Sequence, residues 1–141
     1  MADGNELVKT VIQVLNDGNK GFEDIGEHIK DPQMKAFFIS EAKTRGTFAS
    51  QVESASGITD AGNTVPGSIH RVWGDVKAHL GGGDHTLLET AEQGEDAAKK
   101  AYQEALADTT ISSSIRAILQ QQQPHILESH NKVKAFRDST K

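Results

Sequence analysis

The sequence predicts an all-α protein, an antiparallel four-helix bundle with a long crossover between its second and third helices. Four long segments repeat apolar side chains at spacings of three and four, the period of an amphipathic helix. Turn residues separate these segments, and no useful alternation of apolar and polar residues indicates a strand. A chain of 141 residues can bury a real core. We therefore expect one domain over residues 1–141.

Composition narrows the classes of function. Hydrophobic residues make up 35% and charged residues 25% of the chain, which is polar but unlike a disordered protein. A net charge of −5 argues against nucleic-acid binding, and the lack of cysteine excludes disulfides and thiolate metal sites. No apolar run is long enough to span a membrane, and no signal-peptide pattern occurs. We expect a cytoplasmic protein without nucleic-acid or membrane partners, and homo-oligomerisation is one expectation.

The first helix is predicted over about residues 5–29, with Asn5 as its N-cap. Its stripe has 4-3-4-4-3-4 spacing and consists of Leu7, Val11, Val14, Gly18, Phe22, Ile25 and Ile29. Gly18 and Gly21 would let a neighbouring helix approach closely. Asp31-Pro32 predicts a second helix over about 32–55, because Asp caps a helix and Pro suits its first position.

The connection after the second helix is predicted to carry a helix of its own. Residues 56–65 are small and polar, which indicates a loop. Pro66 then opens a short helix over about 66–80 that ends at a run of three glycines. His70, Arg71 and Trp73 are candidates for docking this helix on the bundle or for an oligomer or ligand contact.

The third and fourth helices are predicted over about 84–107 and 109–137. Asp84 is the expected N-cap of the third helix, whose alanine-rich stripe predicts close packing. Pro124 lies inside the fourth helix, where it removes one backbone donor and should bend the helix.

Polar residues interrupt three of the apolar stripes. Glu41 and Arg45 occupy apolar positions of the second helix, Glu95 one of the third and Gln122 one of the fourth. A buried carboxylate is costly unless it is paired, protonated or bound to a metal. We therefore predict a buried polar layer of these four residues in the middle of the bundle.

The alternative to a metal-free layer is a site that binds two metal ions. It needs a Glu from each of two helices and a Glu-x-x-His from each of the other two. Thr44 stands where the histidine after Glu41 would be, and Gln122 replaces the glutamate before His125. The first helix offers Gly18 where a glutamate is needed.

Glu41, Glu95 and His125 are the ligands that remain for iron or manganese. Arg45 lies one turn after Glu41 on the same face. Its guanidinium is always charged, so it would neutralise these carboxylates and repel a metal ion. A metal-free layer is therefore our main prediction, and a reduced metal site is the alternative.

Five segments carry a resemblance to a known family: LNDGNKGFEDIGEHI, FFISEAKTRGTFASQV, GSIHRVWGDVK, ETAEQGEDAAKKAYQEAL and QQQQPHILESHNKVK. In order and spacing they resemble a bacterial family of ferritin-like four-helix proteins of unknown function. The residues that contribute most are Asp17-Gly18, Arg45, His70-Arg71-x-Trp73, Gly94-Glu95-Asp96 and Tyr102. The resemblance implies a ferritin-like bundle, distantly similar to rubrerythrin and bacterioferritin, without implying an activity.

The expected function follows from the incomplete set of metal ligands, in which only Glu41, Glu95 and His125 remain. We expect a non-enzymatic ferritin-like protein without a cofactor, in which a buried polar layer replaces a degenerate di-metal site. A stress-related role is one expectation for it. The alternative is an iron or manganese oxidase, or a metal-storage protein, with a reduced ligand set.

Overall fold

The computed structural model describes residues 4–58 and 82–140. Within these ranges the chain forms four helices and no strand: α1 (Gly4–His28), α2 (Pro32–Ser56), α3 (Asp84–Ala107) and α4 (Ser113–Ser139). The predicted all-α four-helix bundle is confirmed. The predicted crossover helix, with His70, Arg71 and Trp73, lies outside the described residues. No described helix has the length and apolar character needed to cross a membrane.

The helices pack with their neighbours antiparallel. α1 packs on α2 and α3, and α4 packs on α2 and α3. The Asp84 carboxylate accepts hydrogen bonds from the backbone N–H groups of Lys30 (2.8 Å) and Asp31 (3.1 Å), so α3 begins beside the turn from α1 to α2. A 2.7 Å bond between His85 and Thr140 brings the end of α4 to the same place. The segment joining α2 to α3 therefore starts and finishes at opposite ends of the bundle.

Local signals set both ends of α2. Asp31 Oδ1 accepts from the backbone N–H groups of Gln33 (2.9 Å) and Met34 (3.0 Å), which makes Asp31 the N-cap. At the other end Gly57 adopts a left-handed conformation with φ of 74°, and its N–H donates to Glu53 O at 2.8 Å. Glycine takes that conformation without steric cost, so it can satisfy a carbonyl of the last turn.

The starts of α1, α3 and α4 differ from the sequence prediction. α1 already includes Gly4, so Asn5, the predicted N-cap, lies within the helix. Gly83 is the N-cap of α3, and Asp84 uses its carboxylate to fix the turn from α1 to α2 instead. α4 starts at Ser113, with Ser112 as its N-cap, where we predicted residue 109. The reason is a local turn, in which Asp108 Oδ1 accepts from the backbone N–H two residues later at 2.6 Å. α4 then continues through Pro124, which is exposed.

Close approach of α1 and α2 occurs at Gly26. A Cβ there would lie 2.8 Å from Ile39 Cδ1 and 3.2 Å from the Ile39 backbone nitrogen, so only glycine fits without movement. A Cβ at Gly18 would meet Arg45 Cγ at 3.6 Å, an ordinary contact. Of these two positions on α1, Gly26 therefore has the tighter contact with α2.

The apolar core is divided into two clusters. Leu15, Ala49, Ala98 and Ile126 belong to the cluster at the end where α1 begins. Two turns away on the same four helices, Phe22, Ala42, Ala91 and Val133 belong to the cluster at the end where α1 finishes. The layer between the clusters contains the buried charged residues Glu41, Arg45 and Glu95. The fold therefore places its buried charges halfway along the bundle, between the two apolar clusters.

Candidate functional site

Arg45 is the centre of the buried layer. Its side chain is 1% exposed, and Nε donates to Glu41 Oε1 at 2.8 Å. Nη2 donates to Glu95 Oε1 on α3 and, at 3.2 Å, to Ser129 Oγ on α4. The guanidinium carbon lies 4.9 Å from the centroid of the Phe22 ring on α1, a cation–π contact. One side chain thus connects all four helices.

The spacing of α2 explains part of this geometry. Glu41 and Arg45 are four residues apart, so their side chains lie on one helical face and meet over a single turn. Gly18 on α1 presents no side chain to the stem of Arg45. A short neighbour of this kind leaves space for the aliphatic carbons while the charged end reaches across the core.

His125 connects the layer to the surface. Its Nε2 lies 2.9 Å from Glu41 Oε2 and 3.1 Å from Glu41 Oε1. The imidazole packs edge-on against Phe48, with ring centroids 5.4 Å apart, and its side chain is 42% exposed. The Glu41 carboxylate is therefore held by a buried cation on one side and by a half-exposed imidazole on the other.

The buried layer contains more acidic groups than basic ones, because the two carboxylates of Glu41 and Glu95 share the one guanidinium of Arg45. Burial alone would lower the pKa of Arg45, but the charges of Glu95 and Glu41 outweigh it and raise that pKa above its usual value. Burial also raises the pKa of Glu95, and the nearby Arg45 charge offsets only part of this effect. Glu95 Oε2 is buried without a hydrogen-bond partner among the described residues. Glu95 is therefore the member of the layer whose charge is most costly.

Gln122 is buried but belongs to a neighbouring network. Its Oε1 accepts from the Tyr102 hydroxyl at 2.7 Å, and its Nε2 donates to Gln51 Oε1 at 2.9 Å and to Phe48 O at 3.2 Å. Burial raises the pKa of Tyr102, so its hydroxyl stays a donor. No hydrogen bond joins Gln122 to Arg45 in the described part of the chain. The predicted four-residue layer is therefore two adjacent networks.

The arrangement does not fit the di-metal centre that was the alternative prediction for this layer. Within residues 4–58 and 82–140, no group of three or more His, Asp or Glu side chains is placed to hold a metal ion. Glu41 contacts His125, but Arg45 bonds to both Glu41 and Glu95. A fixed positive charge at that point repels a metal cation. Asp17, the residue before Gly18 on α1, accepts a hydrogen bond from Gln13 Nε2 at 2.6 Å.

Two contributors were missed at the level of sequence. Ser129 lies seven residues after Gln122, two turns along the same face of the fourth helix, and that spacing was the signal that it would be buried. Tyr102 likewise lies seven residues after Glu95, two turns along the same face of the third helix, and a buried hydroxyl there needs a partner. A buried guanidinium with several donors makes a hydroxyl on the facing helix an expected neighbour.

Comparison with known proteins gives a family but no activity. The family model described as a domain of unknown function, DUF2383, matches residues 5–108, which is well over half of the chain. The matched residues include Glu41, Arg45 and Glu95, whereas Ser129 and His125 on α4 lie beyond them. No curated protein matches the chain.

Proposed function

We propose a function for this chain from its membership of the DUF2383 family, a domain of unknown function. The protein is a non-enzymatic, ferritin-like bundle in which the guanidinium of Arg45 takes the place of a metal centre. Such a protein acts by binding a partner or a second copy of itself. One observation carries the proposal: Arg45 is bonded to the carboxylates of both Glu41 and Glu95 at mid-height in the bundle.

Topology supports the ferritin-like part of the proposal. The α2–α3 connection joins opposite ends of the bundle, as in four-helix bundles with one long crossover. Carboxylates from α2 and α3 meet in the layer where such bundles place their metal ligands. These features support the fold alone, because the activity of a protein depends on the groups at its site and not on its fold.

Electrostatics support the non-enzymatic part. A carboxylate-bridged metal site uses the oxygens of its glutamates as ligands. Here one oxygen of Glu41 and one of Glu95 accept hydrogen bonds from Arg45. An arginine side chain remains charged at any physiological pH, so Arg45 keeps its bonds to both carboxylates and leaves them unavailable to a metal ion. The charge of Arg45 supplies part of the compensation that a metal would supply, since one guanidinium serves two carboxylates.

The layer also has a structural role under this proposal. The bonds from Arg45 join α2 to α3 and α4, and they form in one axial register of those helices only. Two apolar clusters alone would tolerate sliding of one helix past another more readily. Buried polar contacts can fix register in this way, although they add little net stability.

The alternative is a metal-dependent oxidase or storage protein that uses Glu41, Glu95 and His125. Thermal unfolding with EDTA, and with ferrous or manganous ions under anaerobic conditions, separates the two. We expect one melting temperature in every condition and no oxygen uptake when air is admitted. A metal at one hundred times its dissociation constant would add about 2.7 kcal/mol of stability.

A matched pair of variants gives the experiment its specificity. Glu95→Gln removes a carboxylate from the layer, whereas Glu104→Gln removes one from the exposed face of the same helix. A metal-induced rise in melting temperature that disappears in Glu95→Gln and persists in Glu104→Gln would establish the metal alternative and overturn the proposal.

A further inference from the structure

A groove opens to solvent between α2 and α4, directly beside the charged layer. Its volume is about 480 Å³, and small-molecule sites commonly enclose ~300–1,000 Å³. Glu41 and Ser129, two members of the layer, form its buried lining. Phe37 supplies an apolar wall, and His125 and Glu128 line its more exposed part. The groove thus leads from solvent to the buried carboxylate of Glu41.

Charge balance identifies the ligand chemistry that suits this groove. Among the buried groups, Glu41 and Glu95 share the single cation of Arg45, so these three side chains sum to one negative charge when both carboxylates are ionised. Unbalanced charge in a buried site is costly. Lys132 also lines the groove, and its ammonium lies 5.3 Å from the centroid of the Phe136 ring, a cation–π contact; no hydrogen bond joins it to Glu41 among the described residues. A cation that enters the groove would therefore be stabilised at Glu41.

We propose that the groove binds a small organic cation, a protonated primary amine with a short apolar body. The ammonium donates to Glu41, which it shares with His125, and to the Ser129 hydroxyl. The apolar body packs on Phe37, and Glu128 adds a second negative charge near the ammonium. Three donors on one ammonium match these acceptors. A bare metal ion would find too few ligands, because the described residues hold no group of three suitable side chains.

Benzylamine, benzyl alcohol and phenylacetate are suitable probes, since they pair one apolar ring with a cationic, a neutral and an anionic group. We would titrate each into the full chain at pH 7 and follow amide shifts by NMR. Benzylamine should give saturable shifts near Phe37, Glu41 and Ser129. Its affinity should exceed that of benzyl alcohol by about tenfold or more, as expected for hydrogen bonds to a charged group.

Exposed variants test the electrostatics without disturbing the core. Glu128→Gln should weaken benzylamine binding about two- to fivefold, and Lys132→Met should strengthen it by a similar factor. Glu23→Gln changes the same charge on the exposed face of α1 and should have no effect. Equal affinity for the alcohol and the amine, tighter binding of phenylacetate, or no saturable shift with benzylamine would each overturn the proposal.

Discussion

Replacing Arg45 by Met is the most informative perturbation of the layer. Methionine approximates the length of the arginine stem but carries no charge and no donors. The variant leaves Glu41 with His125 as its partner and removes the guanidinium bond that Glu95 receives. Because Glu95 is 0% exposed, water cannot replace that bond without opening the bundle. The side chain itself can still fill most of the space.

The expected cost follows from burial. Removing one partner of a buried ion pair typically costs about 3–5 kcal/mol, because the remaining charge is uncompensated. Domains of this size have a total stability of roughly 5–15 kcal/mol, so the variant should lose a large part of it. Adding Glu41→Gln and Glu95→Gln to Arg45→Met removes the uncompensated charges and should recover at least half of the loss.

Urea unfolding followed by circular dichroism at pH 7 measures this free energy. Arg137→Met is the matched control, because Arg137 pairs with Glu92 near the surface, where the two side chains are 25% and 20% exposed. That pair should be worth about 1 kcal/mol or less. A loss below about 1 kcal/mol for Arg45→Met would refute the reasoning, since a compensating buried cation cannot be so dispensable.

Three further predictions concern single positions. Burial raises the pKa of Glu95, so the stability that this group contributes is complete below the ordinary carboxyl pKa and is lost as the pH rises through the raised pKa. The free energy of unfolding in urea should therefore depend less on pH in Glu95→Gln than in the unchanged protein. An unchanged dependence on pH would contradict the raised pKa of Glu95. Gly26→Ala should cost about 1–3 kcal/mol through overpacking, whereas Gly18→Ala should gain up to about 1 kcal/mol from helix propensity, and thermal melts that rank the two variants the other way would count against the packing described. Tyr102→Phe removes the donor to Gln122 Oε1 and should cost about 1–3 kcal/mol in urea unfolding, and a neutral effect would show that this network is not buried as described.

Most of the fold could be predicted because periodicity and caps are local properties. The apolar stripes identified all four described helices, and Asp31-Pro32 marked the start of α2. The start of α4 could not be predicted, because a turn at Asp108 competes with helix formation and Ser112 wins as the cap. Asp84 was assigned to its own helix, since its contacts with the turn from α1 to α2 are 53 and 54 residues distant in the chain.

For the site too, contacts within one helix could be predicted from the sequence, whereas contacts between helices could not. Glu41 and Arg45 were recognisable as a pair because their spacing brings them onto one helical face. Which residue on another helix each one meets depends on helix rotation and axial position, which the stripe does not determine. Gln122 and Ser129 lie two turns apart on α4, and the structure alone shows that Arg45 bonds to Ser129 and that Gln122 bonds to Tyr102.

The proposed replacement of a metal by Arg45 is tested most directly by metal content. Protein purified without chelator, and again after anaerobic loading with ferrous iron, would be analysed by inductively coupled plasma mass spectrometry. We predict no stoichiometric iron, manganese or zinc in either preparation. One or two metal ions per chain that are lost on Glu95→Ala would contradict the proposal, since the carboxylates would then be acting as metal ligands.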